Sequence, residues 1–139
     1  MNRKNIEEMI PKAMKVIKDS GIVTGENKND SKYFGYLNGF GPAVITSGLL
    51  NTINYYSKEG KENQNDRKII CDILLNIIKK SGLLQFNENS LFDLTITKNS
   101  GATNDKLDFK KRVLEAVAAC KLAIGTFSKM KDTGEKYDD

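Results

Sequence analysis

Residues 33–56 read YFGYLNGFGPAVITSGLLNTINYY, and this stretch decides the fold. Its first half repeats apolar side chains at steps of four, three and four residues, the spacing of one face of an amphipathic helix. Those side chains are Tyr33, Leu37, Phe40 and Val44. A second amphipathic stretch begins after Gly48. Its apolar side chains are Leu49, Leu50, Ile53 and Tyr56. The pattern predicts two helices joined by a tight corner, the first of them kinked at Pro42.

Three copies of one short pattern mark the ends of helices. Ser-Gly followed by two apolar residues occurs at positions 20–23, 47–50 and 81–84. A glycine in the left-handed conformation after the last helical turn is a common helix stop. Because the copies are unevenly spaced, they indicate one stop signal used repeatedly and not a repeat array.

Further helices are predicted on both sides of this pair. Upstream, an apolar stripe runs through Pro11 and ends at Gly21; its members are Ile6, Ile10, Ala13 and Ile17. Residues 24–31 are interpreted as a polar loop in which Asp30 or Ser31 caps the next helix. Downstream, residues 67–80 carry an apolar stripe wide enough to be buried on two sides.

Residues 85–104 are the ambiguous part of the sequence. Leu91–Thr97 combines β-prone residues with possible helix caps at Asn89 and Ser90. We interpret it as a short helix, because a single short strand would have no partner elsewhere in the chain.

A long last helix completes the pattern, predicted from Asp105 to about Met130. Its apolar residues are Val113, Val117, Cys120, Ile124 and Phe127. The sequence therefore predicts an all-α fold, a compact bundle of about five to six helices. Residues 1–131 are expected to form a single domain and residues 132–139 a disordered tail.

Composition excludes several kinds of chemistry. The 139 residues contain no His and no Trp, so His-based acid–base catalysis, Ser-His-Asp or Cys-His nucleophiles and His-containing metal sites are excluded. Cys71 and Cys120 lie in apolar helical stretches, which favours buried, reduced thiols over a disulfide or a reactive cysteine. We expect a protein that is not an enzyme and uses no cofactor and no metal, the alternative being an unusual Tyr or Lys catalyst. With no signal-peptide pattern and no membrane-spanning run, we expect it to be cytoplasmic.

Positive charge is concentrated in the last helix. The whole chain has a net charge of +4, whereas residues 106–131 contain seven cations and two anions. We predict an RNA-backbone contact surface there. Its candidate residues are Lys110, Lys111, Arg112, Lys121 and Lys129. The alternative is a solvated face with Gly125 as a helix-packing glycine.

Aromatic residues could stack on bases, but they lie on the apolar stripes of the predicted helices. We therefore assign Tyr33, Phe34, Phe40, Tyr55 and Tyr56 to core packing.

The residues from Leu37 to Lys58 resemble the signature of the small helical subunit of type III-B CRISPR effectors, the Cmr complex. That signature has a proline within a helix, a Ser-Gly-Leu corner and a second helix with an amide residue that ends in Ser-Lys. The matching structural positions here are Pro42, Gly48, Leu49 and Asn51, followed by Ile53, Tyr55 and Lys58.

The resemblance implies a non-catalytic, all-α subunit whose copies stack along the groove that holds guide RNA and target RNA. Its expected partners are the backbone and large effector subunits, neighbouring copies of itself and both RNAs, with no membrane, and it is expected to be a monomer in isolation. One departure is that the family's aromatic-apolar-basic-basic-Phe pattern is absent. With its Phe placed at Phe127, the preceding residues are Ala123, Ile124, Gly125 and Thr126. The alternatives are the type III-A small subunit and a helical adaptor that binds only protein.

Overall fold

Six helices and no strand make up the part of the chain that the computed structural model describes. The backbone is described for residues 2–22 and 28–138, and the side chains for residues 2–22, 32–61 and 64–127. The helices are α1 (Arg3–Ser20), α2 (Lys28–Ser47), α3 (Leu49–Tyr56), α4 (Glu62–Ser81), α5 (Leu91–Asn99) and α6 (Thr103–Asp138). The predicted all-α bundle of five to six helices is confirmed.

The core lies where α1, α2, α4 and α6 meet. α6 runs along α1 and also packs against α2, α4 and α5, while α4 contacts every other helix. The predicted apolar stripes are buried: α2 contributes Leu37 and Phe40, and α6 contributes Phe109. The wide stripe of α4 is buried on two sides, as predicted, through Ile70, Ile73, Leu74, Ile77 and Ile78. Each such side chain contributes roughly 1.5–3 kcal/mol when it leaves water.

The corner between α2 and α3 depends on Gly48. Its backbone has φ 87° and ψ 160°, a conformation that a residue with a Cβ rarely adopts. The amide of Gly48 donates to the carbonyl of Val44 at 2.9 Å, and its carbonyl accepts from the amide of Thr52 at 3.1 Å. Asn51 reaches back, its Nδ2 donating to the carbonyl of Ser47 at 2.9 Å. The predicted tight corner is therefore held by hydrogen bonds on both sides of one glycine.

The other two Ser-Gly stops, at Gly21 and Gly82, also have positive φ, with values of 77° and 72°. They adopt the left-handed helical conformation as predicted, whereas Gly48 has an extended ψ. α5 is also as predicted, since Ser90 caps it by accepting from the amide of Asp93 at 3.0 Å.

Helix ends differ from the prediction in α2 and in α6. α2 begins at Lys28, so Asp30 and Ser31 lie within the helix and do not cap it. The predicted polar loop is thus shorter at its C-terminal end, and residues 24–27 lie outside the described residues. α6 begins at Thr103 and continues past Met130 to Asp138. The disordered tail at residues 132–139 stays a prediction, because side chains from residue 128 onward are outside the described part.

A buried carboxylate joins α1 to α6. Glu115 is fully buried, and its Oε2 accepts from the backbone amide of Asn2 at 2.8 Å and from Nδ2 of Asn5 at 3.2 Å. Its Oε1 lies 3.2 Å from Nη1 of Arg112. The carboxylate therefore sits at the N-terminal, positive end of α1, where the helix dipole stabilises negative charge.

Glu115→Ala is expected to destabilise the protein by about 3 kcal/mol, because it leaves the buried Arg112 guanidinium without its principal partner. Urea unfolding followed by circular dichroism measures the change. Glu8→Ala, at an exposed position of α1, is the control and should change stability by less than about 0.5 kcal/mol. A double variant, Arg112→Met with Glu115→Leu, should recover part of the loss. Equal stability of Glu115→Ala and the parent protein would contradict this role.

Gly48→Ala is expected to cost about 1–2 kcal/mol because the positive φ strains any residue with a Cβ. The matched control is Gly35→Ala, at a solvent-exposed position in the middle of α2. No described atom lies within 4 Å of the added Cβ there. That substitution should stabilise the protein by about 0.5–1 kcal/mol through helix propensity. The two substitutions should therefore change the free energy of unfolding in opposite directions. Changes in the same direction would contradict the role of the positive φ at Gly48.

Candidate nucleic-acid interface

A cleft lies between the α2–α3 corner, the end of α5 and the beginning of α6. Its volume is about 370 Å³. The corner contributes residues 47–51, α5 contributes Thr95, Lys98 and Asn99, and α6 contributes Lys106, Leu107, Phe109 and Lys110. We call it the lysine cleft, because three lysines and no carboxylate line it.

Local structure explains how the three lysines converge. Lys106 and Lys110 are four residues apart on α6, so they lie on one face about 6 Å apart along the helix axis. Lys98 lies in the last turn of α5. The short α5–α6 turn, in which the amide of Gly101 donates to the carbonyl of Lys98 at 3.1 Å, brings it to the same cleft.

The α3 N-terminus adds to the positive potential of the lysine cleft. Gly48 has no side chain, so no side-chain cap bonds the first amides of α3. The first turn, Leu49 to Asn51, also lines the cleft. Free amides at a helix N-terminus and nearby cations both favour an anion such as a phosphate group.

The predicted contact residues of α6 separate in the structure. Lys110 lines the lysine cleft, whereas Lys111 is exposed outside it and Lys121 is half-buried several turns away. Lys110 and Lys121 face within about 20° of one another around the helix axis. The side chain of Lys129 lies outside the described residues. The predicted surface is therefore reduced to Lys110 at the cleft, with Lys111 and Lys121 elsewhere on α6.

Arg112 is not available as a free cation, contrary to the prediction. Its side chain is 14% exposed and lies between Glu115 and Asp108, with Nη2 3.4 Å from Oδ1 of Asp108. The positive charge of Arg112, which the sequence analysis placed on the RNA-contact surface, is thus paired with carboxylates where α6 packs on α1.

Sequence reasoning missed Lys98 altogether and counted Lys106 only in the charge total. Lys106 could have been found from its four-residue spacing to Lys110. No local sequence signal identifies Lys98, because only the packing of α5 brings this residue to the lysine cleft. Of the signature residues, Gly48, Leu49 and Asn51 line the same cleft, while Pro42 is exposed on α2.

Gly125 is half-buried, but no described side chain lies against the position that its own side chain would occupy. A Cβ built on it would meet no described atom within 4 Å. The predicted helix-packing contact is therefore not found there.

The aromatic residues divide between the core and the surface. Tyr33, Phe40 and Tyr56 are buried as predicted. Phe34 and Tyr55 are exposed, so their assignment to the core was wrong. The hydroxyl of Tyr56 donates to the carbonyl of Tyr36 at 2.6 Å, and burial raises the pKa of Tyr56 to about 12.

Both cysteines are free and buried, which confirms the predicted thiols. Burial raises the pKa of each thiol, Cys71 and Cys120, to about 12. In the described part of the chain, no group of three or more acidic or cysteine side chains could hold a metal ion. Nor does any described helix have the length and apolarity needed to span a membrane.

Neither thiol is expected to react with a disulfide reagent at pH 8 in the native state, because the thiolate is the nucleophile and both pKa values lie far above that pH. Both should react in denaturant. Since the folded-state pKa is raised, the protonated thiols contribute stability that is complete below the ordinary pKa of 9.0 and is lost as pH rises towards 12. Rapid labelling of one cysteine in the native protein would contradict this.

Among known proteins, the family model described as CRISPR-associated protein (Cas_Cmr5) matches residues 5–123, which span α1 to α5 and most of α6. No curated protein and no solved structure matches the chain.

Proposed function

The chain belongs to the Cas_Cmr5 family of CRISPR-associated proteins, and from this premise we propose that the lysine cleft binds the phosphate backbone of RNA. As a Cmr-type, type III-B small subunit, the protein assists target RNA binding and assembly of the complex without catalysing a reaction. The family match covers most of the chain and favours type III-B over the type III-A alternative.

The observation that carries the proposal is the composition of the lysine cleft. Three ammonium groups from two helices line it without a carboxylate, although the chain as a whole contains nearly as many acidic as basic residues. Such a cleft concentrates positive potential and attracts a polyanion. Lysine is a point charge with three donors, suited to phosphate oxygens and not to bidentate reading of bases.

Binding of this kind is independent of RNA sequence. The cleft would position guide RNA or target RNA by its backbone, and pairing between the two strands would supply the sequence information, as in other RNA-guided effectors. Affinity would come largely from release of counterions, so it should fall steeply with salt.

Assembly is the second part of the proposal. We expect copies of the chain to stack along the RNA groove beside the backbone and large subunits, in the cytoplasm and away from membranes, and the isolated chain to be a monomer. Exposed apolar side chains support subunit contacts: Ile45 on α2 is 81% exposed and Leu122 on α6 is 54% exposed. A helical adaptor that binds only protein would use these surfaces and not the cleft.

Reversing the three cleft charges tests RNA binding. The variant combines Lys98→Glu, Lys106→Glu and Lys110→Glu. It should weaken binding of a single-stranded RNA at least tenfold at low salt, and lower the slope of log K against log salt by about 2, roughly 0.7 for each phosphate that the variant no longer neutralises. Fluorescence anisotropy over a salt series measures both quantities.

A control variant with the same change in net charge combines Lys4→Glu, Lys15→Glu and Lys79→Glu, at exposed positions outside the cleft. It should retain most of the affinity and salt slope. Equal losses in the two variants would mean that net charge alone binds RNA. Undiminished binding by the cleft variant would support the adaptor.

A further inference from the structure

We propose that Tyr55 is a stacking site for one unpaired nucleobase of single-stranded RNA, held in place by Arg67. The inference rests on the proposed RNA-binding function and adds a second kind of contact to it. The lysine cleft takes phosphate groups, whereas Tyr55 takes the face of a base.

Tyr55 is the exposed member of an aromatic pair. Its neighbour Tyr56 is 5% exposed and packs into the core, whereas Tyr55 is 51% exposed. The two rings meet edge to face, with centroids 5.9 Å apart and an interplanar angle of 71°. Tyr56 therefore anchors Tyr55 from the core side and leaves much of its ring in solvent.

Arg67 fixes the orientation of the ring. Its Cζ lies 4.6 Å from the centroid of the Tyr55 ring, so the guanidinium covers one face. Tyr55 is nevertheless 51% exposed, so the ring face opposite Arg67 and the outer edge of the ring are the parts open to solvent. A ring held between a guanidinium and a buried neighbour loses little further freedom when a base stacks on it.

The charge of Arg67 is not neutralised by a carboxylate among the described side chains. No ion pair there involves Arg67, and its Nε is buried without a hydrogen-bond partner. The neighbouring Asp66 is instead paired with Lys32, at 2.7 Å. A cation stacked behind the ring thus supplies local positive potential for the phosphates of the nucleotide that stacks on the other side.

The exposed face of α3 connects this ring to the lysine cleft. Asn51, Asn54 and Tyr55 are spaced at i, i+3 and i+4 on α3, and Lys58 follows just after the end of the helix; all four are exposed. Asn51 lines the lysine cleft, while Asn54 and Lys58 line a second cleft of about 310 Å³. That second cleft has mixed charge, since it also contains Asp72 and the ion pair of Lys68 with Glu59.

That face therefore carries two amides and an aromatic ring, and the lysine cleft beside it supplies positive charge without a carboxylate. A basic groove with an aromatic side chain along it is the arrangement by which proteins bind single strands without sequence preference. Tyr55 lies one helical turn, about 6 Å, beyond Asn51, so a strand whose phosphates enter the lysine cleft has a base within reach of the ring.

The test compares three labelled ligands against the full-length chain by fluorescence anisotropy. They are a single-stranded oligoadenylate of ten nucleotides, an abasic ribose-phosphate oligomer of the same length and an RNA duplex. Tyr55→Ala should weaken binding of oligoadenylate about tenfold, within the range expected for loss of one base–aromatic stack. Binding of the abasic oligomer and of the duplex should be unchanged, and so should the salt slope.

Two further variants separate stacking from other roles. Tyr55→Phe keeps the ring and should retain the affinity for oligoadenylate. Phe34→Ala removes the exposed aromatic side chain of α2 and should have no effect. The chain has no Trp, so tyrosine fluorescence can be followed directly. Oligoadenylate should quench part of it in the parent protein and less in Tyr55→Phe.

The outcomes distinguish the two proposals. If Tyr55→Ala binds oligoadenylate as tightly as the parent, or weakens all three ligands equally, the stacking site is refuted. The RNA-binding function then still stands, provided that the lysine-cleft variant loses affinity. If the parent chain binds none of the three ligands, both proposals are overturned.

Discussion

The packing of α1 on α6, the most extensive helix–helix contact in the described chain, is built around the buried carboxylate of Glu115. It accepts hydrogen bonds from Asn2, the N-cap of α1, and from Asn5 in the first turn, and it is paired with Arg112 one turn earlier on α6. A buried charge of this kind is tolerated only when its partners are in place, so it fixes the register of α1 on α6 as well as their contact. α6 packs more extensively on α1 than on any other helix. The contact around Glu115 therefore also positions the first turns of α6.

The lysine cleft is a consequence of that placement. With α6 held by α1, its beginning faces the α2–α3 corner, and the corner geometry is set by the positive φ of Gly48. The same junction also removes a charge, because Arg112 is used to neutralise Glu115 and Asp108. Neighbouring cations of one helix therefore have different surroundings: Arg112 is paired within the bundle, whereas Lys110 lines the lysine cleft.

Most of the fold could be predicted from the sequence, and part of the site could not. The stripes of α1, α2, α4 and α6 identified the core, because helix periodicity and burial are coupled within each element. The same reasoning failed at Tyr55, which shares the apolar pattern of α3 but faces solvent beside Arg67. A short helix has too few residues for periodicity to separate its buried face from its exposed one. Arg112 was misassigned because its partner Glu115 was counted as a surface charge.

Four features can be read directly from the residues: the helices, their glycine stops, the lack of histidine and the family signature from Leu37 to Lys58. These follow from backbone hydrogen bonding, side-chain spacing and residue type, all of which act over a few neighbouring positions. Which cations meet, in contrast, depends on how the helices pack together. Lys98, Lys106 and the corner at Gly48 come from three separate segments. These segments come together through the packing of α5 against α3 and of α6 against α2 and α5, and no local spacing in the chain encodes it.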